Sequence, residues 1–129
     1  MSRLSFEEQN NWREYVIRTL EENCSATNIK IVNPVSFYND FSKGFDNQRE
    51  VMEFDLYQLR KSHLVICNFN NPSSIGTSME LMLAYEHKIP IVGLNSEGKE
   101  LHPWLTEVTN KMFDDIEKLI DYILIYYLW

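Results

Sequence analysis

"HLVICNFNNPSSIGTSMELMLAYEHKIPIVGL", residues 63–94, decides the fold. Two short apolar runs rich in β-branched residues, 63–69 and 89–94, bracket a helical stretch at about 76–87. A strand that is apolar at nearly every position has both faces covered, which is the signature of a parallel sheet between helices. Upstream, residues 47–61 read as a helix with Val51, Met52, Leu56 and Leu59 on one stripe, and "NIKIVNP" (28–34) reads as a short β run stopped by proline. The first element is helical: Ser5 and Glu8 have capping-box spacing, and Trp12, Val16 and Leu20 recur every four residues. Downstream, "HPWLTE" reads as a loop or short turn with Trp104 as a core anchor, "KMF" as an edge strand and 114–128 as a final helix. The expected fold is α/β, a three-layer, doubly wound (Rossmann- or flavodoxin-like) parallel sheet, in a single domain spanning residues 1–129. Such folds ordinarily open with a strand and this chain opens with a helix, so the usual first strand is expected to be missing.

Composition narrows the function. The chain has 129 residues, 44% hydrophobic and 24% charged, as expected of a soluble domain with a real core. It has no apolar run of about 18 residues, and its N-terminus has no apolar segment of the secretory kind. Cys24 and Cys67 make no disulfide framework and fit a reduced, cytoplasmic setting. A formal charge of −7 repels phosphate backbones, so a nucleic-acid partner is not expected and a phosphate-bearing ligand would be small. No membrane partner is expected either. His63, His87 and His102 are scattered without ligand spacing, so no metal or other cofactor is expected. The final helix has an inward stripe of Ile116, Leu119, Ile120, Ile123, Leu124 and Tyr127. Tyr122, Ile125, Tyr126, Leu128 and Trp129 then make its end apolar on nearly every side, which points to a homo-oligomer formed through this helix.

Ligands of open parallel sheets bind beyond the carboxyl ends of the strands, which places "NFNNPSSIG" at a crevice. Gly76 lets the backbone approach a ligand, and Ser73, Ser74 and Thr77 can cap the helix or offer hydroxyls. The helix start favours an anion and is expected to help keep Glu80 ionised. Glu80 has Gly76 and Ala84 four residues to either side, leaving its carboxylate sterically open. Taken alone, it is more simply read as an acid that complements the helix dipole. Asp55 strengthens the functional reading. Val51 and Leu59 flank it at four residues, so a carboxylate rises from an apolar face, where it must be neutralised, hydrogen-bonded or functional. Its ordinary alternative is a helix-edge acid paired with Arg60 or Lys61.

Asp55-Leu56, then a buried strand, then Pro-Ser-Ser-Ile-Gly-Thr-Ser-Met-Glu (72–80), then "KIPIVGL" resembles the nucleoside 2-deoxyribosyltransferase superfamily over roughly residues 5–95. The resemblance is closest to the branch of 2′-deoxynucleoside 5′-monophosphate N-glycosidases. It implies that Glu80 attacks or stabilises the anomeric carbon and that Asp55 orients the substrate and assists proton transfer to the leaving base. Ser74 stands where transferases acting on free nucleosides carry an aspartate, and serine there suits a 5′-phosphate. Ser2 and Arg3 are what remains of the family's first-strand region, and Arg3 is chemically suited to a phosphate. Tyr38 is a weaker candidate for stacking on the base. The expected activity is hydrolysis of a small-molecule nucleotide. Base exchange by a transferase, a non-catalytic nucleotide-binding module and a purely structural oligomerisation domain stand as alternatives.

Overall fold

The computed structural model describes residues 6–23, 29–33 and 47–128. Within them lie, in chain order, α1 (Phe6–Asn23), α2 (Gln48–Arg60), β1 (Val65–Asn68), α3 (Ile75–Glu86), β2 (Ile91–Leu94), α4 (Pro103–Val108), β3 (Lys111–Phe113) and α5 (Ile116–Tyr126). The strands form one open parallel sheet in the order β1-β2-β3, with Val65 opposite Ile91 and Val92 opposite Lys111. The protein is thus an α/β structure built on a small parallel sheet. None of its described helices is long and apolar enough to cross a membrane.

β2 is the centre of the sheet, and all four of its residues are buried. Alternate side chains along a strand point to opposite faces, so β2 feeds two cores. Ile91 joins Cys67, Phe69, Leu81, Ala84, Ile89, Leu105 and Val108 in one cluster, against which Leu59 of α2 packs. Val92 and Leu94 join Val16 and Leu20 of α1 and Leu119, Ile120 and Ile123 of α5 in the other. α2, α3 and α4 therefore serve one face, and α1 and α5 the other. The Tyr15 hydroxyl donates to Glu117 Oε1, tying α1 to α5.

Several local expectations are corrected. Of the run 28–34, read as a strand, the described residues 29–33 form no regular element, although Ile31 packs against the second core. β1 accordingly has no strand on its outer side among the described residues. "HPWLTE" is a short helix rather than a loop, begun by Pro103 at its first turn and capped by the His102 ring, which accepts the Trp104 N–H. This helix turns Leu105 and Val108 inward and leaves Trp104 exposed, so Trp104 is not a core anchor. Met52 leaves the expected α2 stripe for solvent, while Val51 is buried and Leu59 packs on the core. The Ser5–Glu8 capping box lies outside the residues whose side chains are described.

Gly93 fixes how closely β2 approaches its neighbours. A Cβ there would stand 2.5 Å from Phe69 Cε2 and 2.9 Å from Met112 Sδ. Phe69 is fully buried and has nowhere to retreat. Gly93→Ala is expected to overpack this contact and cost about 1–3 kcal/mol, measured by denaturant unfolding. An unchanged midpoint would show that the sheet centre is looser than described.

Candidate functional site

The loop from Asn70 to Ser74 leaves the carboxyl end of β1 and turns into α3. Ser74 is the N-cap: its backbone is extended, and its hydroxyl oxygen accepts the Thr77 N–H at 3.3 Å. The ordinary capping role of Ser74 is therefore real. It leaves the hydroxyl proton available for donation, and the first backbone N–H groups of the helix without intrahelical acceptors. Ser73 donates to Asn71 Oδ1, and the Asn70 backbone N–H donates to Asn68 Oδ1. A Cβ at Gly76 would meet nothing within 4 Å, so this glycine answers no packing demand inside the chain and borders open space.

Glu80 sits in the second turn of α3, and the first turn carries no acid. A dipole-complementing acid belongs in the first turn, so that explanation of Glu80 loses its basis. The side chain is half-buried between Met79, which faces outward, and the fully buried Leu81. Its environment is not the ionising one expected from the sequence. Burial, and then the charge of Asp55, push the Glu80 carboxyl up to about 6, while the Arg13 guanidinium pulls it back. Glu80 lies beyond the strongest reach of the helix terminus, and desolvation decides the direction.

Asp55 is half-buried on α2, with its Oδ1 buried, as expected of an acid on an apolar face. α2 packs against α3, which brings Asp55 and Glu80 into electrostatic contact. Cys67 on β1 belongs to the same neighbourhood. Its thiol is pushed up to about 12 by burial and then by the Glu80 charge, with Arg13 opposing, so it is an inert packing residue.

Arg13 is the participant that sequence reasoning missed. It precedes Val16 by three residues and Leu20 by seven, placing it on the inward face of α1. Its guanidinium carbon lies 5.1 Å from the Trp12 ring centroid, and its charge acts on both Glu80 and Cys67. A half-buried cation on an otherwise apolar stripe was the available signal. Asn70 was missed too: its Oδ1 is buried and accepts no hydrogen bond among the described residues.

The structure thus brings Asp55, Glu80 and Arg13 together near the end of β1, with Ser73, Ser74, Gly76 and Thr77 at the adjoining helix start. Ser2, Arg3 and Tyr38 lie outside the described residues. A separate cleft of about 450 Å³ is lined by Asn95, Met112, Phe113 and Asp114, at the carboxyl ends of β2 and β3, and by none of the expected site residues. Among the described residues no group of three His, Cys, Asp or Glu side chains is disposed to hold a metal ion.

Comparison with models of known protein families gives no match, and comparison with curated proteins gives no significant one.

The charge state of Glu80 leaves a signature in stability. A carboxyl whose folded-state value lies above its unfolded 4.5 holds its proton more tightly when folded. Its contribution is therefore fully present below pH 4.5 and lost as pH rises through about 6. Glu80→Gln removes the titration. Relative to this variant, the wild type should lose about 1–2 kcal/mol between pH 4 and pH 7.5 in paired denaturant unfolding. A difference that does not change with pH would mean Glu80 is fully solvated.

Proposed function

We propose that this protein is a doubly wound, Rossmann- or flavodoxin-like enzyme that hydrolyses the N-glycosidic bond of (2′-deoxy)nucleoside 5′-monophosphates, releasing free base and sugar 5-phosphate. The observation that carries this reading is the pair of acids, Asp55 and Glu80, delivered by two adjacent helices to one strand end and close enough for the Asp55 charge to act on Glu80. Helices against both faces of the parallel sheet support the fold assignment. The resemblance of residues 5–95 to the nucleoside 2-deoxyribosyltransferase superfamily supports the substrate class.

An N-glycosidic bond breaks through a sugar with oxocarbenium character, so it needs negative charge at the anomeric carbon and a proton for the departing base. Glu80 supplies the charge, either as an electrostatic partner or by forming a bond to C1′. Asp55 delivers the proton to the base, directly or through water, as the C1′–N bond electrons leave with it. Water then adds to C1′, displacing the Glu80 carboxylate where that bond has formed, and gives up a proton to the Asp55 carboxylate left by the first step, so that the sugar 5-phosphate is released and both acids are restored. With a value near 6, Glu80 is mostly ionised at neutral pH, as this role requires. Arg13 opposes the accumulation of negative charge and so lets two acids share the crevice.

The 5′-phosphate is read by Ser74, whose hydroxyl can donate while its oxygen caps the helix, together with the α3 N-terminus, Ser73 and Thr77. Gly76 gives the phosphate open backbone to approach. Asn70 Oδ1 is an acceptor suited to a sugar hydroxyl or base N–H. Arg3 and Ser2 are further phosphate contacts in this scheme. The two acids and water complete the chemistry, so no metal or cofactor is invoked, and a cytoplasmic location fits a nucleotide substrate. A non-catalytic nucleotide-binding module is the second reading. It draws on the 450 Å³ cleft, whose lining contains neither acid.

The test is incubation with a panel of nucleosides and 5′-monophosphates, with products identified by mass. Free base and sugar phosphate are expected from monophosphates, falling by at least about 100-fold in Glu80→Ala, and Ser74→Asp should weaken monophosphates relative to nucleosides. Base exchange appearing only when a second base is supplied would instead make the protein a transferase. Binding without product would favour the module, and full activity in Glu80→Ala would overturn the assignment.

A further inference from the structure

The chain leaves β2 and β3 toward opposite faces of the sheet. After β2 it goes to α4, whose Leu105 and Val108 pack in the first core, and after β3 to α5, whose Leu119, Ile120 and Ile123 pack in the second. Where neighbouring parallel strands send their connections to opposite faces, a crevice opens beyond their carboxyl ends, and ligands of open sheets bind there. The cleft of about 450 Å³ lies at this parting, lined by Asn95, Met112, Phe113 and Asp114. Met112 packs on the first core and Phe113 on the second, so the end of β3 divides them.

The walls of the cleft are held by the chain itself. The Asn95 N–H donates to the Phe113 carbonyl at 2.8 Å, tying the two strand ends together. The Asn95 side chain donates through Nδ2 to the Lys99 carbonyl and accepts the Lys99 N–H on Oδ1, both at 2.9 Å, which closes the loop after β2 on itself. The Phe113 ring is backed by Tyr122, which packs inward from α5 with its centroid 5.2 Å away. Asp114 is held less firmly. Its side chain is 82% exposed, and its ion pair with Lys118 is long, at 3.9 Å. That carboxylate is open to the donors of a ligand.

We infer that this cleft binds a small planar molecule with two adjacent N–H donors, a guanine-type heterocycle or an amidinium, stacked on Phe113 and gripped along its N–H edge by the Asp114 carboxylate. A carboxylate takes two parallel N–H bonds at once, which adds geometric selection to the strength of a charge-assisted pair. The aromatic wall gives the ring of the same ligand a stacking partner. Charge disfavours a phosphate as the recognised group. Asp114, Asp115 and Glu117 stand together at the start of α5, where the Asp115 side chain already accepts the Lys118 N–H. Of the neighbouring cations, Lys118 faces Asp114, and Lys111 lies over the Phe113 and Tyr122 rings. None of these residues belongs to the crevice of Asp55 and Glu80, so the inference stands apart from the glycosidase reading.

Amide-detected magnetic resonance on the full chain tests it, with guanosine and benzamidine as probes. Saturable movement of the Asn95, Phe113 and Asp114 signals is expected at millimolar probe, with a dissociation constant raised at least about tenfold in Asp114→Asn. In the wild type, inosine, which lacks the second donor, should bind at least about fivefold more weakly than guanosine. Saturation by guanosine alone assigns the heterocycle and by benzamidine alone the amidinium, and either upholds the site. Movement confined to residues 70–80, an affinity that Asp114→Asn leaves unchanged, inosine held in this cleft as tightly as guanosine, or no response to either probe would overturn the inference.

Discussion

The constraint on which the structure depends is that β2 has no exposed side. Four consecutive buried residues on one strand require a dry surface above and below it. The chain meets this by placing α2, α3 and α4 over one face and α1 and α5 over the other. The parallel order follows from the same requirement, because a chain that crosses a sheet through a covering helix returns in the direction it left. Parallel strands in turn collect their carboxyl ends on one edge, and the loops there carry whatever chemistry the fold supports. Gly93 pinned against Phe69 and Met112 is the local form of this constraint, since the close approach of β2 to its neighbours leaves no room for a methyl group.

The site is where this arrangement is least comfortable. A helix packed on an apolar sheet normally buries hydrocarbon, yet α2 and α3 each direct a carboxylate into half-buried ground. Burial raises the cost of ionising Glu80, and the charge of Asp55 adds to it. Arg13 offsets part of that cost from α1, whose apolar face belongs to the opposite core. The site is thus assembled from elements on both sides of the sheet, which is why it falls at the strand ends and not on one helix surface. A surface that served packing alone would not need such an arrangement, which marks this crevice as a candidate site.

Most of the sheet was legible in the sequence because its information is local. Buried strands declare themselves by continuous apolar runs, so residues 63–94 give β1, α3 and β2 within two residues at each boundary, and "KMF" gives β3. The run at 29–33 misled because β-branched composition reports fitness for a half-buried extended segment and says nothing of whether a neighbouring strand is there to pair with. Trp104 misled because the general tendency of aromatics to pack does not say which face of a short helix a residue takes: Leu105 and Val108 hold the inward face and leave the indole exposed. Met52 misled because it is adjacent to Val51, and adjacent residues do not share a helix face.

The site was legible in part. Spacing within one helix identified Glu80 and Asp55, and the loop composition identified Ser74 as a cap. The charge state of Glu80 was not legible, because it depends on burial between separate elements and on a residue 67 positions away in the chain. Arg13 was hidden by its companions: Trp12, Val16 and Leu20 explain α1 as a packing helix, and the cation on the same inward face goes unremarked until the fold brings it to the acids. Asp55, Glu80 and Arg13 form one electrostatic unit. Its most direct test is a carbon-detected magnetic-resonance titration of the Glu80 carboxyl in the wild type, Asp55→Asn and Arg13→Gln. The midpoint should lie at about 6 in the wild type, lower in Asp55→Asn and higher in Arg13→Gln. An ordinary carboxylate midpoint that neither substitution moves would contradict it.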